Sequence, residues 1–283
     1  MELNFHYSTG AGNLLNPADF KQRTAWMKEA GVGTIWLGAY FFGHFDSDIE
    51  TLVRMKAALE ECGFEVNAIS VPVGHPGNSL DPVNRPDMDC RIPSAWRYRV
   101  DAKGKPVHFC ACVDETMLKD NMDAAAQLKQ AGFKKVFYDD DLRMGNFGPQ
   151  VQGCFCKECV ERFNDSFGYS LTRAELAKAV LAPEPGVVCA DWIDYNCGKI
   201  TGFMRAAASA GPKPGIMVMH HGDRRHGIDI PAIKQAAPGC YFRVGEGNFN
   251  SREFSAFEGK VSLMESAAKH MALVGDAKRC YSE

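Results

Sequence analysis

Residues 134–159, KKVFYDDDLRMGNFGPQVQGCFCKEC, join a short apolar strand, three consecutive aspartates, a glycine-broken loop and three cysteines spaced C-x-C-x-x-C. Lys135 to Tyr138 follows the helix-ending pair Ala131-Gly132 and is β-branched and aromatic. That pattern predicts a buried strand with Asp139, Asp140 and Asp141 at its carboxyl end. Carboxylates are costly to bury, and in parallel α/β folds the carboxyl ends of the strands face the site. Chemistry is therefore expected here, with the rest of the fold built around it.

Upstream, the chain alternates strand and helix signals. Leu3 to Ser8 predicts a strand, and Asn16-Pro17 an N-cap with proline in the first turn of a helix that runs to Ala30-Gly31. Thr34 to Tyr40 predicts a second strand. Asp46 or Ser47 then caps a helix with Ile49, Leu52, Met55 and Leu59 at three and four spacing, stopped at Gly63. Glu65 to Val73 is a third strand. Residues 75–112 depart from the pattern: WRYRV and PVHFC flank Asp101 to Lys105 as a hairpin, and an insertion of this length after a strand is expected to form a lid or pocket wall. Trp96 and Tyr98 are its candidate sugar-stacking groups, with packing of the hairpin as the alternative for either.

Asp114 to Gly132 is the next helix and the aspartate strand the fourth. Residues 154–210 form a helical insertion carrying the cysteines; Gly215 to His221, Cys240 to Val244 and Arg279 to Glu283 supply three further strands, with a helix from Ser255. Seven strands alternating with helices describe a single-domain α/β fold over residues 1–283, a TIM-type (β/α) barrel whose eighth strand is absent from the chain. A doubly wound open sheet would want a G-x-G-x-x-G loop after the first strand, and residues 8–12, STGAG, match it poorly.

Composition limits the function classes. With 32 basic and 35 acidic residues and no long single-sign block, nothing suggests a nucleic-acid or membrane surface. No segment approaches the roughly 18 apolar residues of a membrane span, and MELNFHYSTG lacks the pattern of a secretory signal. Eleven cysteines, three of them clustered, favour a reduced cytoplasm and a metal over a disulfide framework. A homo-oligomer is compatible with the sequence.

Cys154, Cys156 and Cys159 can converge on one tetrahedral ion, and zinc would take a fourth thiolate if the site is structural. Cys110 and Cys112 both precede the third helix, and Cys112 is the favoured fourth ligand. Unligated buried thiols are the competing reading. A catalytic zinc is disfavoured because four cysteines leave no open coordination position.

The strand-four acids followed by GCFCKECVERF, with another cysteine some forty residues upstream, resemble the family 42 glycoside hydrolases, the β-galactosidase-type barrels. The resemblance is concentrated in residues 112–163. It implies a four-cysteine zinc cluster beside the active-site mouth, an acid/base at the end of strand four and a nucleophile at the end of strand seven. Asp141 takes the first position and Glu283, by strand count, the second. Where that family has Asn-Glu at strand four, this chain has Asp140-Asp141.

Glycoside hydrolysis needs two carboxyl groups across the scissile bond, about 5–5.5 Å apart in retaining enzymes and about 6.5–9.5 Å in inverting ones. Aspartate for glutamate withdraws the carboxyl by about one bond length, which opens the pair toward the inverting range. Asp139 should share a strand face with Asp141. Arg143, His220, His221 and Glu246 also fall at or beyond strand ends, where planar polar groups bind sugar hydroxyls. A sugar-cleaving enzyme is thus the leading expectation. A barrel that binds carbohydrate without hydrolysis is the alternative, and a metal-dependent hydrolase using His220 and His221 is the less favoured one.

Overall fold

The computed structural model describes residues 4–75, 91–139, 142–145, 152–219, 224–246 and 257–282. Seven parallel strands run in chain order: β1 (Phe5–Gly10), β2 (Val32–Phe41), β4 (Glu65–Val71), β7 (Lys135–Tyr138), β8 (Lys213–Met219), β9 (Tyr241–Glu246) and β10 (Cys280–Ser282). Short β3 (His44–Phe45) returns antiparallel on β2, and β5 (Tyr98–Val100) with β6 (Pro106–Ala111) makes a separate hairpin. Sequential parallel pairing demands a crossover each time. These are supplied by α1 (Pro17–Glu29), α2 (Ile49–Glu61), α3 (Glu115–Gln130), the trio α4 (Lys157–Phe167), α5 (Arg173–Val180) and α6 (Val187–Ala210), α7 (Ile230–Ala236) and α8 (Phe257–Val274). This is the TIM-type α/β architecture the alternation predicts.

Local chemistry sets the helix starts. Asn16 accepts from Ala18 N ahead of Pro17, Asp114 from Met117 N, and Thr172 with Glu175 forms a reciprocal capping box. The cap of α2 is Asp48, which accepts from Thr51 N at 2.7 Å, in place of the expected Asp46 or Ser47. That displacement frees Asp46 for another role.

The middle strands β2, β4, β7 and β8 are buried on both faces, as central parallel strands are. Ile35, Leu37, Val66, Ala68, Val136, Ile216, Val218 and Phe242 pack outward against Leu52, Leu59, Met117, Leu128, Phe203 and Ile233 of the helices. The inward face carries Trp36, Ile69, Phe137 and Met217, packed by Tyr281. Full burial of a side chain such as Phe137 stabilises by roughly 1.5–3 kcal/mol. The sheet curls far enough that its first and last strands meet through side chains: the His6 and Tyr281 rings lie 4.6 Å apart. Among the described residues β1 and β10 form no ladder with each other. Trp36 Nε1 donates to His6 Nδ1 at 3.1 Å, and burial pushes the His6 pKa down, so this imidazole accepts as the neutral ring. None of the described helices is long and apolar enough to cross a membrane.

Candidate active site and metal centre

At the carboxyl end of the strands a cavity of about 310 Å³ is lined by residues of β1, β2 and β4, by Asn13, by Asp46 and by Asp139. Asp139 continues β7, its amide donating to Ser70 O at 2.9 Å. Phe137 lies on the inner face, so strand alternation sends Asp139 inward as well. There Arg243 of β9 donates to it at 2.9 Å. Side-chain exposures of 13% for Arg243 and 22% for Asp139 make this a largely buried ion pair. The Arg243 guanidinium also lies over the Phe137 ring, 5.2 Å from its centroid, and touches the Met217 sulfur. A guanidinium so placed favours the ionised form of the acid it pairs with.

Asp46 reaches the same cavity by a different route. Tyr40 pairs with Phe45 and Phe41 with His44, leaving a two-residue turn of Phe42 and Gly43. Both have positive φ, 51° and 95°, the signature of the type I′ hairpin whose twist matches paired strands. A phenylalanine in the left-handed region is strained; its fully buried ring offsets that cost. The turn sends the chain back along β2, and Asp46 N donates to Ala39 O at 2.9 Å. Its carboxyl then sits over Gly38, where an added Cβ would lie 3.2 Å from Oδ2. Asp46 keeps solvent contact, but the surrounding walls displace enough water to push its pKa up.

Catalytic candidates Asp141 and Glu283, and His220 and His221, lie outside the described residues, as does Asp140. Glu246 ends β9, its Cα in register with that of Met219. Arg143 is buried at 6% exposure, and its carbonyl accepts from Arg99 at 3.0 Å, so it braces the loop after β7. Trp96 is 4% exposed and donates through Nε1 to Asp120 at 2.7 Å. It offers no open ring face to a sugar and pins the hairpin to α3, which corrects the stacking expectation. Two site residues escaped the sequence reading. Arg243 had one available signal, a cation between Phe242 and Val244 of β9; Asp46 was taken, with Ser47, for a candidate helix cap.

The four cysteines do converge. The sulfurs of Cys112, Cys154, Cys156 and Cys159 all lie within 4.8 Å of one another, with Cys112 and Cys159 at 3.7 Å. Cys112, just past β6, is the fourth member, and Cys110 is not part of the group. Cys156 is the N-cap residue of α4 and Cys159 lies in its first turn, where the helix end favours thiolates. Hydrogen bonds from the other three thiols push the Cys156 pKa down, while donating to those neighbours pushes that of Cys112 up. Arg97, whose carbonyl accepts from Cys112 N, pairs with Asp114 at 2.9 Å and with Glu158 of α4. The cluster therefore fastens the hairpin, the loop after β7 and α4 at one point.

No family model matches the chain, and no curated protein does. Solved structures of similar shape include the spore cortex-lytic enzyme SleL of Bacillus megaterium, at 9% identity and TM-score 0.47 over 99% of this chain and 49% of that one. The GH20 exo-β-N-acetylglucosaminidase of Vibrio harveyi follows at 8% identity and TM-score 0.46, covering 85% and 41%. The glycoside hydrolase domain of PelA from Pseudomonas aeruginosa gives 10% identity and TM-score 0.43, covering 95% and 79%. The chain thus spans about half the length or less of the first two. Glycoside hydrolases recur among these structures, as likenesses of backbone path that bear on no residue of the site.

Proposed function

We propose that the chain is a glycoside hydrolase-like enzyme that binds carbohydrate in the cavity at the carboxyl ends of its strands and cleaves a glycosidic bond there with paired carboxyl groups. The observation that carries this reading is the presence in one cavity of two carboxyl groups in unlike settings: Asp139 against Arg243, and Asp46, whose pKa burial pushes up. Environments that push acids apart in this way separate proton donors from charge-bearing groups. In the proposed mechanism Asp141 protonates the leaving oxygen and Glu283 faces it across the bond, activating water in an inverting displacement. Asp139 stays ionised and accepts from sugar hydroxyls. Asp46, with Asn13, holds the ring on the opposite wall. The segment before the hairpin packs beside the Phe42-Gly43 turn, an added Cβ on Gly43 meeting Pro93 and Trp96, while none of the described residues of the insertion lines this cavity.

Zinc is the metal we assign to Cys112, Cys154, Cys156 and Cys159. Tetrahedral Zn–S bonds of ~2.3 Å place sulfurs about 3.8 Å apart; the Cys112–Cys159 separation is 3.7 Å. Four thiolates close the coordination sphere, so the ion would cross-link the hairpin to α4 and take no part in hydrolysis.

The test is turnover of a panel of aryl glycosides by the wild type and by Asp141→Asn, with the anomer of the first-formed sugar read by proton NMR. Inverted product from the wild type and none from the variant is the expected result. Equal turnover by both removes the assignment; sugar binding with no turnover by either leaves a carbohydrate-binding barrel.

A further inference from the structure

Tyr195 of α6 holds a buried hydroxyl that makes no hydrogen bond of ordinary geometry among the described residues. A phenol O–H buried without a partner is destabilising, so its surroundings decide what it serves. They place it at the cysteine cluster. Cys159 and Phe163 are one turn apart on α4, on one face and both buried. The Phe163 ring meets the Tyr195 ring edge-on at 5.9 Å, and Trp192 stacks on Tyr195 at 5.3 Å. Burial pushes the Tyr195 pKa up and the charge of Cys159 pushes it further, which sets that sulfur beside the hydroxyl.

Lys199, one turn beyond Tyr195, approaches the cluster from the same helix. Its Nζ lies 5.2 Å from the Tyr195 ring centroid and donates to Val113 O at 2.8 Å. Val113 follows Cys112, whose sulfur is 3.7 Å from that of Cys159. Two side chains of α6 therefore bracket the Cys112–Cys159 edge of the cluster. Four thiolates around a divalent ion carry surplus negative charge. Buried charge of that kind is stabilised by donors aimed at the ligand atoms. A thiol is a weak acceptor and a metal-held thiolate a charged one, so an ion on the cysteines gives the hydroxyl its partner.

Given a zinc ion on the four cysteines, we propose that Tyr195 is a positioning residue of the metal centre: its hydroxyl donates to the Cys159 thiolate, and Lys199 holds the backbone that carries Cys112. Helix α6 thereby sets how tightly the hairpin and α4 are fastened. Tyr169 supplies the contrast. It stacks on the same Phe163 ring at 5.4 Å, but its hydroxyl donates to Asp191 at 2.6 Å.

The full chain is loaded with zinc for competition against a chromophoric chelator, and with cobalt(II) for absorption of the thiolate-to-metal charge-transfer band. Tyr195→Phe should weaken zinc binding about tenfold, the scale of one lost hydrogen bond to a metal ligand. It should also move the charge-transfer band to longer wavelength, because a thiolate that has lost a donor gives up its electrons more readily. Tyr169→Phe, which removes a hydroxyl from the same ring stack, should leave both readings at their wild-type values. Unchanged zinc affinity with an unshifted band in Tyr195→Phe, or the same changes in Tyr169→Phe, overturns the role of Tyr195. Lys199→Met should weaken zinc binding as well and serves if Tyr195→Phe does not fold; wild-type affinity in it overturns the part assigned to α6. A wild-type chain that takes up neither ion removes the zinc assignment and the proposal with it. Neither reading depends on turnover, so failure of the hydrolase reading is told apart from failure here.

Discussion

Replacing Arg243 by Met keeps the aliphatic length that passes Phe137 but removes the charge that faces Asp139. Both partners are less than a quarter exposed and the contact is 2.9 Å, so the pair belongs with buried rather than surface ion pairs. Removing one partner of such a pair costs about 3–5 kcal/mol, and the residual solvent contact points to the lower end, about 3 kcal/mol. The lost stacking on Phe137 adds about 0.5–1 kcal/mol. The expected destabilisation of Arg243→Met at pH 7 is therefore about 3–4 kcal/mol. Asp139→Asn combined with Arg243→Met should recover about 2 kcal/mol of it, because the double variant no longer buries a carboxylate that has lost its guanidinium. Equilibrium urea unfolding, followed by circular dichroism and tryptophan fluorescence together, measures both. The pH dependence has a fixed sign. In Arg243→Met the Asp139 carboxylate, no longer facing the guanidinium, gains from protonation in the folded state, so the deficit is smallest below the ordinary carboxylate range and grows as pH rises through it. A single variant within about 0.5 kcal/mol of the wild type, or a double variant no better than the single, would refute this account of the pair.

Protein purified without chelator should hold about one zinc per chain, and Cys156→Ser should lower both metal content and melting temperature; metal-free wild type would remove the assignment. For Asp46, whose raised pKa favours the acid form in the folded state, linked stability is complete below the ordinary carboxylate range and lost as pH rises through the raised value. Asp46→Asn should flatten that slope and leave stability at pH 7 equal or higher, as urea titrations across pH will read; a large loss at pH 7 contradicts the unpaired setting. Asp141→Asn should abolish turnover while sugar binding, measured by calorimetry, persists.

All seven parallel strands were legible in the sequence, each within a few residues, because short β-branched and aromatic runs bounded by glycine or proline leave little choice of element. The cysteine cluster was legible from spacing, with Cys112 favoured as the fourth member, and in the structure it is Cys112, past the end of β6, that joins the group. Asp46 was hidden by its hairpin. Phe42-Gly43 lacks the Asn-Gly or Asp-Gly pair that announces a type I′ turn, and Asp46 and Asp48 compete for the same capping role in sequence. Trp96 was ambiguous for a plainer reason: an indole that packs and an indole that stacks on sugar have the same sequence, and only the partner of its N–H, Asp120, tells them apart.

The two acids of the mouth come from contacts of very different range. Asp46 is placed by a turn that closes over a handful of residues, whereas Asp139 meets Arg243 across 104 positions of chain. Contacts of the first kind form early and independently; those of the second form only after much loop entropy has been surrendered. A nascent chain can therefore carry a finished β2–β3 hairpin long before β9 has emerged, and until then Asp139 lacks its Arg243 partner. Neutralisation of that aspartate is a late event in folding, and the chemistry of the mouth is withheld until β9 has docked beside β8.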